Sequence, residues 1–177
     1  MPLLIFSTSL KPVSRSRILA RAAQHAATAV GGAELIDLRD HPLPLCDGAT
    51  FGLPAVERLS TAIRGATAVL IAAPVYNFDL NAAAKNLIEH TGKAWEDKVV
   101  GFLLAAGGQR SYMAAQSFAG SLALDFRSVV VPRFVYATRE SFSGEAVTDP
   151  EIQARIVALV EAAQRFGTAL AAAPAPR

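Results

Sequence analysis

Five short apolar runs punctuate this chain, and the segments between them change period. The runs are PLLIFS (Pro2–Ser7), AELIDL (Ala33–Leu38), TAVLIAAP (Thr67–Pro74), KVVGFLLAA (Lys98–Ala106) and SVVVPRFVYA (Ser128–Ala137), the last broken by Pro132. They are bounded by turn signals and lack alternation, which predicts strands buried on both faces. Between them apolar residues recur at three and four, the helical spacing. Ile18, Leu19, Ala22, Ala23 and Ala26 form one stripe, Val56, Leu59 and Ile63 a second, and Ala84, Leu87, Ile88 and Thr91 a third. Ser111 to Leu124 is helix-compatible, and Ile152, Ile156, Leu159, Val160, Ala163 and Phe166 make the last stripe. Asp149-Pro150 is a cap and first-turn signal for that helix. Alternation of this kind predicts a parallel sheet, because each parallel pairing needs a crossover and a helix supplies it.

The expected fold is therefore α/β: a flavodoxin-like three-layer sandwich with a five-stranded parallel sheet, order 2-1-3-4-5, and helices on both faces. In that order the winding switches between strands 1 and 3, and a ligand crevice is expected at their carboxyl ends. The 177 residues suit one domain, 1–170, with the end AAAPAPR (171–177) as a flexible tail.

Composition narrows the partners. Half the residues are apolar (52%), enough for a full core, while only 18% are charged, few for a surface that stands alone in water. That favours self-association. A net charge of +2 on scattered cations argues against a nucleic-acid partner. No apolar run reaches the ~20 residues that span a bilayer, and no leader opens the chain, so no membrane association is expected. The lone cysteine, Cys46, cannot form an intramolecular disulfide and fits a cytoplasmic protein. His25, His41 and His90 have no ligand-spaced neighbours, so no metal site is expected.

Three unusual loops fall where the crevice is expected. After strand 1 comes STSLKPVSRSR (Ser7–Arg17), with four serines, one threonine and three cations. Hydroxyls of Ser7, Ser9, Ser14 and Ser16, amides at the next helix start, and charge from Lys11 and Arg15 or Arg17 would suit a phosphate. Without a glycine, the loop is neither a dinucleotide turn nor a Walker loop. After strand 3 comes PVYNFDLN (Pro74–Asn81), where Pro74, Tyr76 and Phe78 can flank a flat ring and the amides from Val75 to Phe78 can reach its heteroatoms. After strand 4 comes AAGGQRSY (Ala105–Tyr112), whose Gly107 and Gly108 allow close backbone approach to a carbonyl or developing negative charge.

STSLKPVSRSR, PVYNFDLNAAAKNLIEH and AAGGQRSYM together resemble the NAD(P)H-dependent FMN reductases, the flavodoxin-like group of flavin, quinone, azo and chromate reductases, over roughly Leu3 to Leu170. The family's P-x-Y-N loop and K-N-x-[IL] helix are matched by Pro74, Tyr76, Asn77 and by Lys85, Asn86 and Ile88. Its phosphate loop, G-S-x-R, is matched with departures: Thr8 replaces the glycine and Lys11 the arginine, and lysine lacks the planar fork that grips phosphate. The resemblance implies FMN phosphate on Ser9, Lys11, Ser14 and Ser16. It implies the ring along Pro74–Phe78, and Gly107, Gly108, Gln109 and Arg110 at the pyrimidine edge. It also implies a homodimer or homotetramer with a subunit seam near the helix Leu80–Thr91 and Trp95.

Hydride transfer from NADPH or NADH to the flavin, and on to a small planar acceptor, needs no side-chain nucleophile. No catalytic side chain is therefore expected. The backbone of Asn77 and Phe78 would tune N5, and that of Gly107 and Gly108 would tune the N1 edge. The shared face implies ping-pong kinetics, and Asp79 is expected only to cap the following helix. A flavodoxin-type FMN electron carrier is the alternative, although such carriers are usually strongly acidic to steer docking.

Overall fold

A computed structural model describes residues 3–172. Its strands are β1 (Leu3–Ser7), β2 (Ala33–Asp37), β3 (Ala68–Tyr76), β4 (Asp79–Leu80), β5 (Val99–Ala105), β6 (Val129–Val130), β7 (Val135–Ala137), β8 (Phe142–Ser143) and β9 (Ala146–Val147). The α-helices are α1 (Arg15–Ala27), α2 (Pro54–Gly65), α3 (Ala82–Thr91), α4 (Gln116–Phe126) and α5 (Pro150–Ala172). The main sheet runs β2-β1-β3-β5, then β6 and β7 along the far edge, all parallel. This is the flavodoxin-like order, with the expected fifth strand in two pieces.

Both faces of the sheet are covered, which is why its central strands read as unbroken apolar runs. Leu3, Ile5, Leu70 and Leu103 face α1 and α5. Leu4, Phe6, Ile71, Phe102 and Leu104 face α2, α3 and α4. The fit is close enough to exclude side chains at two glycines. A Cβ on Gly101 would lie 2.7 Å from Leu70 Cδ2, and one on Gly167 would strike the Thr67 carbonyl. Lys98 ends α2 by donating from Nζ to the Arg64 and Ala66 carbonyls, at 2.8 and 3.1 Å.

Several expectations need correction. β2 is an edge strand and only Ile36 in it is fully buried, so the reading of burial on both faces fails there. The fifth run is interrupted beyond Val131, where Pro132 lacks an amide and Arg133 takes φ +61°. The segment 111–124 is one turn-rich stretch, 109–115, followed by α4. Trp95 is fully buried against Phe6, ring centroids 6.2 Å apart, and therefore belongs to the core instead of a subunit seam. Helix α5 continues to Ala172, two residues into the segment expected as a tail. The rest of that segment, 173–177, and Pro2 lie outside the described residues. The cap signal at Asp149 holds: its Oδ1 accepts from the amides of Glu151 (2.9 Å) and Ile152 (3.3 Å).

Candidate functional site

The carboxyl ends of β1, β3 and β5 open into a cleft of about 500 Å³. Ser9, Lys11, Ser14, Arg15, Ser16, Pro74, Val75, Tyr76 and Gly107 line it, with Val13, Ala105 and Ala106 between them. Nine of the residues singled out in the sequence thus meet at one place. Ser7, buried at the end of β1, is not in the lining, and Asn77, Phe78, Gly108 and Gln109 lie outside it too, further along the same two loops.

The first loop is built to offer donors. Ser14 is the N-cap of α1, yet its hydroxyl makes no capping bond to a helix amide. It meets the Ser16 hydroxyl at 2.9 Å instead. No acidic residue stands in the first turn of α1, so the positive end of the helix is not neutralised. The Ser7 hydroxyl is buried and has no partner among the described residues. Strand parity puts that side chain on the face shared with Leu3 and Ile5, the face α1 covers. Buried polar groups are seldom left unpaired. An anion in this cleft is the simplest occupant for so many donors.

Arg17 does not offer its charge to the cleft, contrary to one sequence expectation. It is 6% exposed, and Nε donates to Asp37 Oδ2 at 2.6 Å. Its remaining bonds go to the carbonyls of Pro12, Lys11 and Ser9. Burial works against charge on Asp37, but hydrogen bonds from Arg39 and Arg17 outweigh it and hold the carboxyl below its usual range. Lys11 Nζ rests over the Tyr76 ring, 5.6 Å from its centroid, and so bridges the first two loops.

The second loop is a tight hairpin, with Val75 opposite Leu80 and Tyr76 opposite Asp79. Its two central residues, Asn77 and Phe78, have φ of +51° and +66°. Such turns favour Asn-Gly, and a left-handed phenylalanine is strained by about 1–2 kcal/mol. Phe78 is also 56% exposed, so packing does not explain its presence. Strain kept at an exposed aromatic points to use by a ligand. Phe78→Gly is expected to raise stability by about 1 kcal/mol in urea unfolding. A variant that gains no stability would show that the turn is not strained.

Asp79 does not cap α3. Its carboxylate accepts from the Leu80 amide (2.7 Å) and the Ser117 hydroxyl (3.0 Å), tying the hairpin to α4. In the third loop a Cβ on Gly107 or Gly108 would meet nothing within 4 Å. Protein packing therefore does not require either glycine, whereas a ligand lying against the backbone would.

Three fixing contacts escaped the sequence reading. Thr8 donates from Oγ1 to Asn81 Oδ1 (2.7 Å) and accepts at its carbonyl from Asn81 Nδ2 (2.8 Å), stapling the first loop to the second. Only the replacement of the family glycine by Thr8 hinted at this. The Tyr136 hydroxyl donates to the Gly108 carbonyl and sets that peptide's orientation. Asn86 holds the loop after β2, accepting from the Cys46 amide and donating to the Pro44 carbonyl. A neighbouring apolar groove of about 550 Å³ touches Leu10, Leu43, Leu45 and Ala83. It has no serine or threonine in its lining, and its one arginine, Arg39, is held by Asp37.

Among the described residues no cluster of three or more His, Cys, Asp or Glu could hold a metal ion, and no helix is long and apolar enough to cross a membrane. No curated protein matches the chain. Several solved structures share its fold. An oxidoreductase from Corynebacterium diphtheriae is 21% identical, with TM-score 0.76 over 95% of this chain and 97% of that one. FerB, an NAD(P)H:(acceptor) oxidoreductase from Paracoccus denitrificans, is 22% identical, with TM-score 0.74 over 93% and 97%. An apo NADH:FMN oxidoreductase is 16% identical, with TM-score 0.76 over 98% and 91%. The family model described as NADPH-dependent FMN reductase matches residues 1–142, most of the chain, which therefore belongs to that family of oxidoreductases using FMN and a nicotinamide.

Proposed function

We propose that this chain binds FMN in the cleft at the ends of β1, β3 and β5, takes hydride from NADPH or NADH, and passes it to a flat acceptor such as a flavin, quinone or azo compound. The observation that carries this reading is the meeting of a hydroxyl-rich helix start, the Pro74–Tyr76 arm of the aromatic hairpin and the bare glycine Gly107 in one cleft. The hydroxyls of Ser9, Ser14 and Ser16, with the amides opening α1 and charge from Lys11 and Arg15, would hold the phosphate; Ser7 would support them from below. Pro74, Val75, Tyr76, Asn77 and Phe78 would hold the ring by apolar contact and by their backbone. Amides of Gly107, Gly108 and Gln109 would face its pyrimidine edge. Bound FMN supplies the hydride-accepting centre, and the protein contributes orientation and fixed dipoles around it.

Nicotinamide and acceptor would enter by the same opening in turn, which gives ping-pong kinetics. Large apolar side chains are exposed on the segments that follow β1, β3 and β5: Val13, in the cleft lining, and Leu10, Phe78 and Met113 are all at least half exposed. A second copy of the chain covering part of these segments would account for them. The single free cysteine and the nicotinamide requirement fit a cytoplasmic setting.

Reduction of the FMN-loaded protein under nitrogen tests the reading. Adding NADPH or NADH is expected to bleach the visible flavin band, and a quinone or free flavin to restore it. A loaded protein inert to both nicotinamides would be an electron carrier. A protein that FMN does not titrate would refute the site itself.

A further inference from the structure

Arg17 stands where a cation is unfavourable, in the first turn of α1 beside the positive end of the helix dipole. Its burial adds to that cost. Something must justify a buried guanidinium there. Side chains in a first turn lean back toward the helix start, so Arg17 reaches the loop before it. It donates to the Pro12 carbonyl at 2.8 Å, to Lys11 at 3.0 Å and to Ser9 at 3.3 Å. Asp37, at the end of β2, anchors its Nε at 2.6 Å. Asp37 in turn accepts from Arg39, at 2.9 Å from its NH2 nitrogen.

These bonds settle which way the loop's peptides face. In a trans peptide the N–H points opposite to the preceding carbonyl, and the described residues contain no cis bond. With the Ser9 and Pro12 carbonyls turned to Arg17, the amides of Leu10 and Val13 point away from the guanidinium. Lys11 is followed by proline, which has no amide to lose. One side of the loop is thus lined with carbonyls held by a cation, and its donors are left for the other side. A loop free to turn would bring some of those carbonyls, with their partial negative charge, against an anion.

We propose that Arg17, anchored by Asp37, is the positioning residue that makes this loop selective for a phosphorylated flavin, by holding the loop's carbonyls to itself without touching the phosphate. The inference rests on the cleft being the FMN site. FMN and riboflavin differ only in the phosphate, so the ratio of their dissociation constants reads the loop alone.

Both ligands would be titrated by fluorescence quenching against wild type, Arg17→Gln, Arg17→Lys and the double variant Arg17→Met/Asp37→Leu. The double variant removes both buried charges together, a change that folds tolerate far better than leaving one unpaired. Arg17→Gln and the double variant are expected to lose about 10- to 100-fold in FMN affinity, with riboflavin within about 3-fold of wild type. Arg17→Lys keeps the charge but cannot span Asp37 and three carbonyls, so it is expected to fall with the others. Retention of FMN affinity by Arg17→Lys would mean that charge alone matters, and would overturn the positioning role. So would equal loss of both flavins, or no loss in the double variant. A wild-type protein that binds neither flavin would instead defeat the assignment of the cleft.

Discussion

Replacing both Ser14 and Ser16 by alanine is expected to weaken FMN at least about 30-fold while riboflavin stays within about 3-fold. The two hydroxyls face each other at 2.9 Å and cap nothing in α1. Their removal therefore leaves every backbone bond of the helix in place. A hydrogen bond to a charged group contributes about 1.5–3 kcal/mol, and two such bonds to one dianion outweigh any loss of packing from a missing oxygen. Single variants are expected to show less than half the combined effect, because the remaining serine can turn toward the ligand once its neighbour is gone. Isothermal titration with both flavins decides the matter. Equal weakening of the two would place the phosphate elsewhere.

Trp95→Ala is expected to cost about 3–5 kcal/mol of stability, the largest effect of any change away from the cleft. The indole is fully buried in the layer between the sheet and α2–α4. Its ring tilts at 43° to Phe6, and Nε1 donates to Thr91 Oγ1 at 2.7 Å. That hydroxyl donates to the Leu87 carbonyl at 2.6 Å, while the Trp95 carbonyl accepts from Ser128 Oγ at 2.9 Å. Truncation opens a cavity and takes from the buried Thr91 hydroxyl one of its two bonds as well. Trp95→Phe keeps most of the volume and loses the donor, so about 1–2 kcal/mol is expected. Urea unfolding gives both values, and light scattering should find the oligomeric state of Trp95→Phe unchanged. A small stability loss accompanied by dissociation would return Trp95 to a subunit seam.

Why were some features legible from sequence and others not? The central strands carried two-sided burial, and each left an unbroken apolar run: LLIF in β1 and VVGFLLA in β5. The stripe of α3 was read in full, since Ala84, Leu87, Ile88 and Thr91 are all buried. In α1 the period was right and the face was turned by one residue. Ser16, Leu19, Ala20, Ala23 and Ala27 are inside, and a stretch of alanines gives little contrast to fix the face. The two-residue strands β4, β8 and β9 are too short to show any period.

At the cleft, residue type was legible and partnership was not. Serines at a helix start, aromatics on a hairpin and paired glycines announced themselves by composition. Arg17 looked like another available cation until its partner, twenty residues away on β2, was visible. Thr8 with Asn81 and Tyr136 with Gly108 are likewise contacts between distant segments, made only when the sheet brings three loops to one edge. The strain at Phe78 is a property of backbone angles, which an Asn-Phe pair in sequence does not reveal.

A crystal soaked in FMN tests the central claim most directly. The phosphate is expected beside the hydroxyls of Ser9, Ser14 and Ser16, with the ring against Pro74–Phe78 and one edge near Gly107. Flavin density at any other place, with this cleft filled by solvent alone, would contradict it.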